Sequence, residues 1–218
     1  MKPLGVVVFD FDGTLVSRDS FLDFSVRYCL RRPARFLLIL LLLPLTALAL
    51  TRSRRRAASV LLWAMTVGSS TRAFVLELRR YATEILPSYA HESIFSELSA
   101  QLQAGQRVVI ATGTLPLLVG GLFDARKVAR LPIVGSRLRR YWGGLVVETH
   151  CTGRVKVREL ERKLGIREWS VVYTDSLADR ALMSRAREIT LVSPNQRTEQ
   201  LTRQSIDRET VLRVLRPR

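Results

Sequence analysis

The sequence predicts an α/β fold: a Rossmann-like, mostly parallel sheet core with a helical module inserted after the first strand. Two observations predict it. Short β-branched apolar runs end in polar, glycine- or serine-containing loops at "LGVVVFDFDGT", "RVVIATGT" and "WSVVYTDS", the pattern of buried strands feeding tight loops. A leucine-, alanine- and arginine-rich stretch from about Ser20 to Gln103 then breaks the strand–helix rhythm immediately after the first of these runs.

Leu4 to Phe9 reads as the first strand, too short for a signal-peptide core and running straight into acidic residues. The helical stretch that follows is punctuated by Pro33, Pro44, Pro87 and "VGSS" at 67–70. "RVVIATGT" is the next strand, and "YWGGLVVETH" (141–150) a hairpin or strand pair. "KVRELERKLG" (156–165) is a short helix closing on a C-cap-like Gly165. "ALMSRAREI" (181–189) reads as a helix and "ITLVS" (189–193) as a fourth strand. The expected organisation is a core of residues 1–18 and 88–218 and an insert of 19–87.

The chain has 218 residues, with 35 Lys and Arg against 19 Asp and Glu, a formal charge of +16. Lysine occurs only at positions 2, 127, 156 and 163, so nearly all the positive charge is arginine. Such a balance points to a polyanionic partner, nucleic acid or an anionic lipid surface. Cys29 and Cys151 make neither a disulfide framework nor a metal-ligand spacing and are expected as reduced thiols in a cytosolic setting.

In open parallel sheets ligands sit beyond the carboxyl ends of the strands, where loops 10–14, 112–114 and 174–179 fall. Asp10 and Asp12 stand on alternate residues at such an end. A pair like this can hold a hard cation through oxygen ligands. One carboxylate can attack phosphorus while the other protonates a leaving oxygen and then activates water. Gly13 allows the sharp turn; an ordinary Asp-Gly turn is the plainer alternative. Thr112 offers a hydroxyl and Gly113 an unhindered amide to phosphate oxygens. Lys156, near a helix start, can neutralise phosphate charge, or it is simply a solvated lysine. Asp175 can complete a Mg2+ site, with Asp179 orienting it from behind, or the two are helix caps. His91 and His150 are expected to be packing or surface residues.

The ordered set Asp10-Phe11-Asp12-Gly13-Thr14, Thr112, Lys156, Asp175 and Asp179 resembles the haloacid dehalogenase superfamily of aspartyl-phosphate phosphatases. That resemblance implies Asp10 as nucleophile, Asp12 as acid/base, Thr112, Gly113 and Lys156 as phosphate-binding residues, and a Mg2+ cofactor held by Asp10, Asp12 and Asp175. "DSFLDFSVRYCLRRP", "LLWAMTVG", "ATGTLPLLV", "YWGGLVVETHCTGRVKVRELERKLG" and "YTDSLADRALM" are in turn similar to the bacterial phosphatidylglycerophosphatases of the C type. This similarity runs from about residue 4 to 192 and departs at Arg180-Ala181, where that family usually has a Leu-Pro-like pair.

An unbroken apolar run, 36–50, is fenced by Arg31, Arg32 and Arg35 before it and by Arg52, Arg54, Arg55 and Arg56 after it. Fifteen helical residues reach about 22 Å, short of a hydrocarbon core of about 30 Å. A single span would also part Asp10 from Thr112, Lys156 and Asp175. The run is therefore expected to be a re-entrant or interfacial hairpin turning near Pro44, with Ser20 and Ser69 both facing the cytoplasm; a fully buried core helix of the insert is the plainer alternative. The resulting expectation is an enzyme of the bacterial inner membrane with its catalytic domain on the cytoplasmic side. It would hydrolyse phosphatidylglycerophosphate to phosphatidylglycerol and phosphate in phospholipid biosynthesis. The expected partners are the anionic phospholipid substrate and the membrane surface, with neither nucleic acid nor a protein partner. The alternatives are a phosphatase of a soluble monoester such as phosphoserine, and a non-catalytic basic protein binding membrane or nucleic acid.

Overall fold

The computed structural model describes residues 5–206 and 209–217; Leu4 of the expected first strand lies outside them, as do 1–3, 207, 208 and 218. The first strand, β1 (Val6–Phe9), is followed by five helices: α1 (Ser20–Leu30), α2 (Pro33–Leu41), α3 (Leu43–Arg52), α4 (Arg54–Thr66) and α5 (Thr71–Glu84). After a 3-10 turn at Leu86–Tyr89 the core resumes with α6 (Glu92–Gln103), β2 (Arg107–Ala111), α7 (Pro116–Ala125) and β3 (Ile133–Val134). Then come the hairpin β4 (Arg137–Tyr141) and β5 (Gly144–Thr149), α8 (Arg154–Leu164) and β6 (Trp169–Thr174). A 3-10 turn at Leu177–Asp179 leads to α9 (Arg180–Met183), β7 (Ala186–Val192), α10 (Gln196–Ser205) and β8 (Val211–Leu215).

Six strands form one sheet in the order β3-β2-β1-β6-β7-β8, and every neighbouring pair is parallel. Parallel strands are buried on both faces, which is why their sequences read as continuous apolar runs. Along β1, Val7 and Phe9 enter one hydrophobic cluster with Val108, Ile110 and Tyr173. Val8 enters the other, with Val109, Ala111 and Val172. The Phe9 and Tyr173 rings stack at 4.1 Å between centroids, one residue before Asp10 and Thr174.

The insert leaves and rejoins the core along paired backbone. Ser17 N donates to Tyr89 O and His91 N to Leu15 O, both at 2.9 Å. Two features differ from the sequence reading. The β4–β5 hairpin, expected within the core, stands outside the main sheet and packs on α4 of the insert. Its backbone amides bond side chains of α4, Leu145 N to Thr66 Oγ1 at 2.8 Å and Val147 N to Ser59 Oγ at 3.2 Å. The helix expected over 181–189 ends at Met183, and Ala186–Ile189 already belong to β7. Ladder pairing with β6 and β8 decides those residues in favour of strand.

The apolar run also differs. Helices α2 and α3 meet at 55°, so the chain bends at Leu42 rather than folding back at Pro44. Proline is compatible with the first turn of a helix, and Pro44 occupies that position in α3. The reversal comes at Ser53, whose backbone is extended, after which α4 packs back on α3 and α2. Neither α2 nor α3 has a buried residue. Among the described residues no single helix is long and apolar enough to cross a membrane.

Helix α8 carries one carboxylate whose ionisation contributes to stability. Glu159 takes hydrogen bonds from Arg162 at 2.9 and 3.1 Å. Those bonds, opposed by burial, hold it down at about 2, below the ~4.3 of an unfolded chain. Its contribution is therefore present above about pH 4.3 and lost as pH falls toward 2. Arg162 is more than half exposed, so the contribution is about 1 kcal/mol or less. Glu159→Gln is expected to lower stability in urea melts at neutral pH, with the difference from wild type shrinking between about pH 5 and about pH 3.

Candidate active site

The site lies at the carboxyl ends of three adjacent strands, β2, β1 and β6, and the first turns of α8 and α1 close it. Asp10 follows β1 directly, with its own amide bonded to Tyr173 O at 2.9 Å. Its carboxylate receives Phe11 N at 2.7 Å and Lys156 Nζ at 2.8 Å, both on Oδ1. Oδ2 takes neither of these two contacts. Lys156 bridges onward to Asp179 Oδ2 at 2.8 Å, and Thr174 Oγ1 donates to the same oxygen at 3.1 Å. Lys156 is 3% exposed and Asp179 1%, so this is a buried Asp–Lys–Asp bridge rather than a solvated surface lysine. Asp179 thus orients Lys156.

The electrostatics follow from burial. Burial pushes the Asp10 carboxyl well above the usual range, and the Lys156 ammonium offsets this only in part. Burial opposes the charge on Lys156, but attraction from Asp10 and Asp179 outweighs it and raises its pKa. Asp12 is pushed up to about 6, again by burial, against the hydrogen bonds from Ser20. A carboxyl near 6 can give and take a proton close to neutral pH. Asp175 is also raised by burial.

Asp12 makes a contact that the sequence does not announce. Its Oδ1 accepts the Ser20 amide at 2.9 Å, at the start of α1. A helix N-terminus offers free amides to just such a group. Among the described residues no three His, Cys, Asp or Glu side chains stand together as a closed ligand set. Asp10 and Asp175 are left as the carboxylates that would hold a cation. The donor chemistry fits Mg2+, which takes hard oxygens and often only one or two carboxylates. Four carboxylates, Asp10, Asp12, Asp175 and Asp179, face one ammonium, an excess of negative charge that a divalent cation would offset. Gly13 makes their approach feasible. It has φ +75, and a Cβ there would lie 2.3 Å from Asp175 Oδ2.

Thr112 is fully buried, and its Oγ1 accepts the Thr114 amide at 3.0 Å, which leaves its hydroxyl proton to donate. Gly113 is half-buried, its carbonyl held by Ser136 Oγ at 2.6 Å. The structure thus gathers Asp10, Asp12, Thr112, Gly113, Lys156, Asp175 and Asp179 around one strand edge. It adds three residues the sequence reading missed. Ser20 positions Asp12 by its amide and reaches Thr114 Oγ1 at 3.2 Å through its hydroxyl. Ser136 fixes the Gly113 loop. His91 Nδ1 donates to Thr14 O at 2.8 Å, tying α6 to the Asp10–Thr14 loop. The Asp19 N-cap before an apolar helix was the one available signal for Ser20; nothing in the sequence marks the other two.

Fold and site together define an α/β enzyme core with an acidic cluster at the carboxyl edge of its central strands. The chain belongs to the haloacid dehalogenase-like hydrolases, whose family model matches residues 7–184. Solved structures of similar fold include a protein of unknown function from Bordetella pertussis Tohama I. It is 17% identical, with 96% of this chain and 97% of that one covered and a TM-score of 0.67. A phosphoserine phosphohydrolase-like protein from Francisella tularensis subsp. tularensis SCHU S4 is 16% identical, with 94% and 93% covered and a TM-score of 0.64. An apo phosphoserine phosphatase is 14% identical, with 97% and 92% covered and a TM-score of 0.59.

Proposed function

We propose that this hydrolase is a Mg2+-dependent phosphomonoesterase whose substrate is borne by a membrane, with phosphatidylglycerophosphate as the specific substrate. The observation that carries the chemistry is the buried Lys156 bridge, which fixes the Asp10 carboxylate through Oδ1. Asp10 Oδ2 attacks phosphorus and forms an aspartyl-phosphate, and Asp12 gives its proton to the departing alcohol oxygen. Asp12 then takes a proton from water, which displaces phosphate and restores Asp10. Lys156 and Thr112 stabilise negative charge on the phosphoryl oxygens. Mg2+ held by Asp10 and Asp175 would supply further charge stabilisation; haloacid dehalogenase phosphatases generally depend on it.

The membrane part rests on the exposed face of α2 and α3. Leu37, Leu41, Leu45, Leu48 and Leu50 are each at least half exposed, an apolar patch of the kind that marks an interaction surface. Exposed Arg52, Arg54 and Arg56 adjoin it, each contributing about 1 kcal/mol near an anionic surface. Not all seven flanking arginines are available. Arg32 bonds Glu77 at 3.0 Å, and Arg35 bonds Tyr28 Oη, Met65 O and Ser69 Oγ. The face lies on the interface in this reading, with α4 docked on the catalytic side. Residues before 36 and after 50 then share the cytoplasmic compartment of a bacterial inner membrane, Ser20 and Ser69 included. With Leu37, Leu41 and Leu48 all changed to Glu, the protein is expected to stop floating with phosphatidylglycerol-containing vesicles. Undiminished flotation would remove the membrane part of the proposal.

Phosphoserine is the second reading. It is favoured by the fold shared with structures described as phosphoserine phosphatase over nearly the whole chain. A soluble substrate leaves the leucine face of α2 and α3 without a purpose.

A further inference from the structure

An apolar groove of about 420 Å3 runs between α1, α2 and α4, within the roughly 300–1,000 Å3 typical of small-molecule sites. Along α1 its lining runs from Asp19 through Val26 to Leu30, and Phe36, Leu61 and Met65 line it from α2 and α4. The next residue after Asp19 is Ser20, whose amide holds the Asp12 carboxylate. The Asp19 end of the groove is therefore one residue from the amide that holds Asp12.

One wall is unusual for a helix packed in a soluble module. Leu22, Val26 and Leu30 stand at i, i+4 and i+8 on α1, one stripe along one face. They are 60%, 50% and 68% exposed. An apolar stripe normally faces a core; here it borders the groove and has no covering element among the described residues. The eleven residues of α1 span about 16 Å, close to the ~15 Å depth of one bilayer leaflet. Phe36 of α2 lines the same groove as the stripe, and the exposed leucine face of α2 and α3 begins at the next residue, Leu37.

Resting on the phosphomonoesterase reading above, we infer that this groove takes one hydrocarbon chain of an amphiphilic phosphate monoester, which makes the insert a chain-recognising subsite of the active centre. The nearness of its Asp19 end to the Ser20 amide that holds Asp12, its leaflet-matched length and its nearly unbroken apolar lining support a hydrocarbon occupant over a second protein chain. Hydrocarbon held there would be drawn from the leaflet along α1 while the phosphate stays at Asp10.

Two measurements on the full-length protein in vesicles test this. Hexadecyl phosphate carrying a diazirine at the far end of its chain is photolysed with the protein, and adducts are mapped by mass spectrometry. The expected adducts fall on 26–30 and 61–65. Adducts confined to the outer leucine face of 36–50, or crosslinks between two protein chains, would overturn the inference. In parallel, the ratio of kcat/KM for hexadecyl phosphate to that for methyl phosphate is compared between wild type and Ala58→Trp, which fills the groove. The ratio is expected to fall about tenfold, and an unchanged ratio contradicts the inference while leaving the phosphatase proposal standing. Adducts in the groove with no phosphate released from either ester would overturn the phosphatase proposal alone.

Discussion

Asp10→Asn is expected to abolish phosphate release, by roughly 10⁴-fold or more, as removing a nucleophile from a cooperating set does elsewhere. An amide cannot form the acyl-phosphate. The change leaves Phe11 N and Lys156 an oxygen to bond, so the melting temperature should hold within about 3 °C, a shift worth roughly 1 kcal/mol in a chain of this size. Acid quenching during turnover of a labelled substrate should trap label on the Asp10 peptide of wild type and none on the variant. Asp12→Asn gives a useful contrast. It loses the proton carrier while keeping the attacking oxygen, so a loss nearer 10²–10⁴-fold is expected. Full turnover by Asp10→Asn would refute the mechanism.

Lys156→Met is the second large effect, and it reaches stability as well as rate. It leaves Asp10 and Asp179 facing each other in a buried site without their shared ammonium. Breaking a buried pair by removing one partner typically costs about 3–5 kcal/mol, or roughly 6–20 °C in melting temperature at this size. Lys156→Met with Asp179→Asn should recover part of that stability, because one stranded charge is gone, but none of the activity. Differential scanning calorimetry of the two variants beside wild type reads this directly. A single variant as stable as wild type would mean that the bridge does not exist in solution.

The parts of this molecule that were legible in the sequence are those where backbone and side chain carry the same signal. The β-branched runs at Val6–Phe9, Arg107–Ala111 and Trp169–Thr174 announce buried parallel strands, and the polar residues after them fall at the strand ends that bind ligands. Lys156 is the opposite case. As one of four lysines in a chain of +16 it reads as solvated, and only its place in the ordered motifs raised it. Contacts made through backbone, such as Ser20 N to Asp12, were not legible because any residue can donate an amide. Pro44 misled because proline breaks a helix interior but suits a first turn, so the reversal moved to Ser53. Arg35 illustrates a limit on reading charge. Its guanidinium belongs equally to a membrane flank or to Met65 O and Ser69 Oγ, and packing of α2 on α4 decides between them.

The central claim is a phosphatase that takes its substrate from a membrane. The most direct measurement is phosphate release with Mg2+, and with EDTA as control, from phosphatidylglycerophosphate in vesicles and from phosphoserine in solution. The account predicts Mg2+-dependent release with kcat/KM much greater for the lipid, at least about 10²-fold, since the soluble ester forfeits the apolar contacts of its chain. A higher kcat/KM for phosphoserine would contradict it.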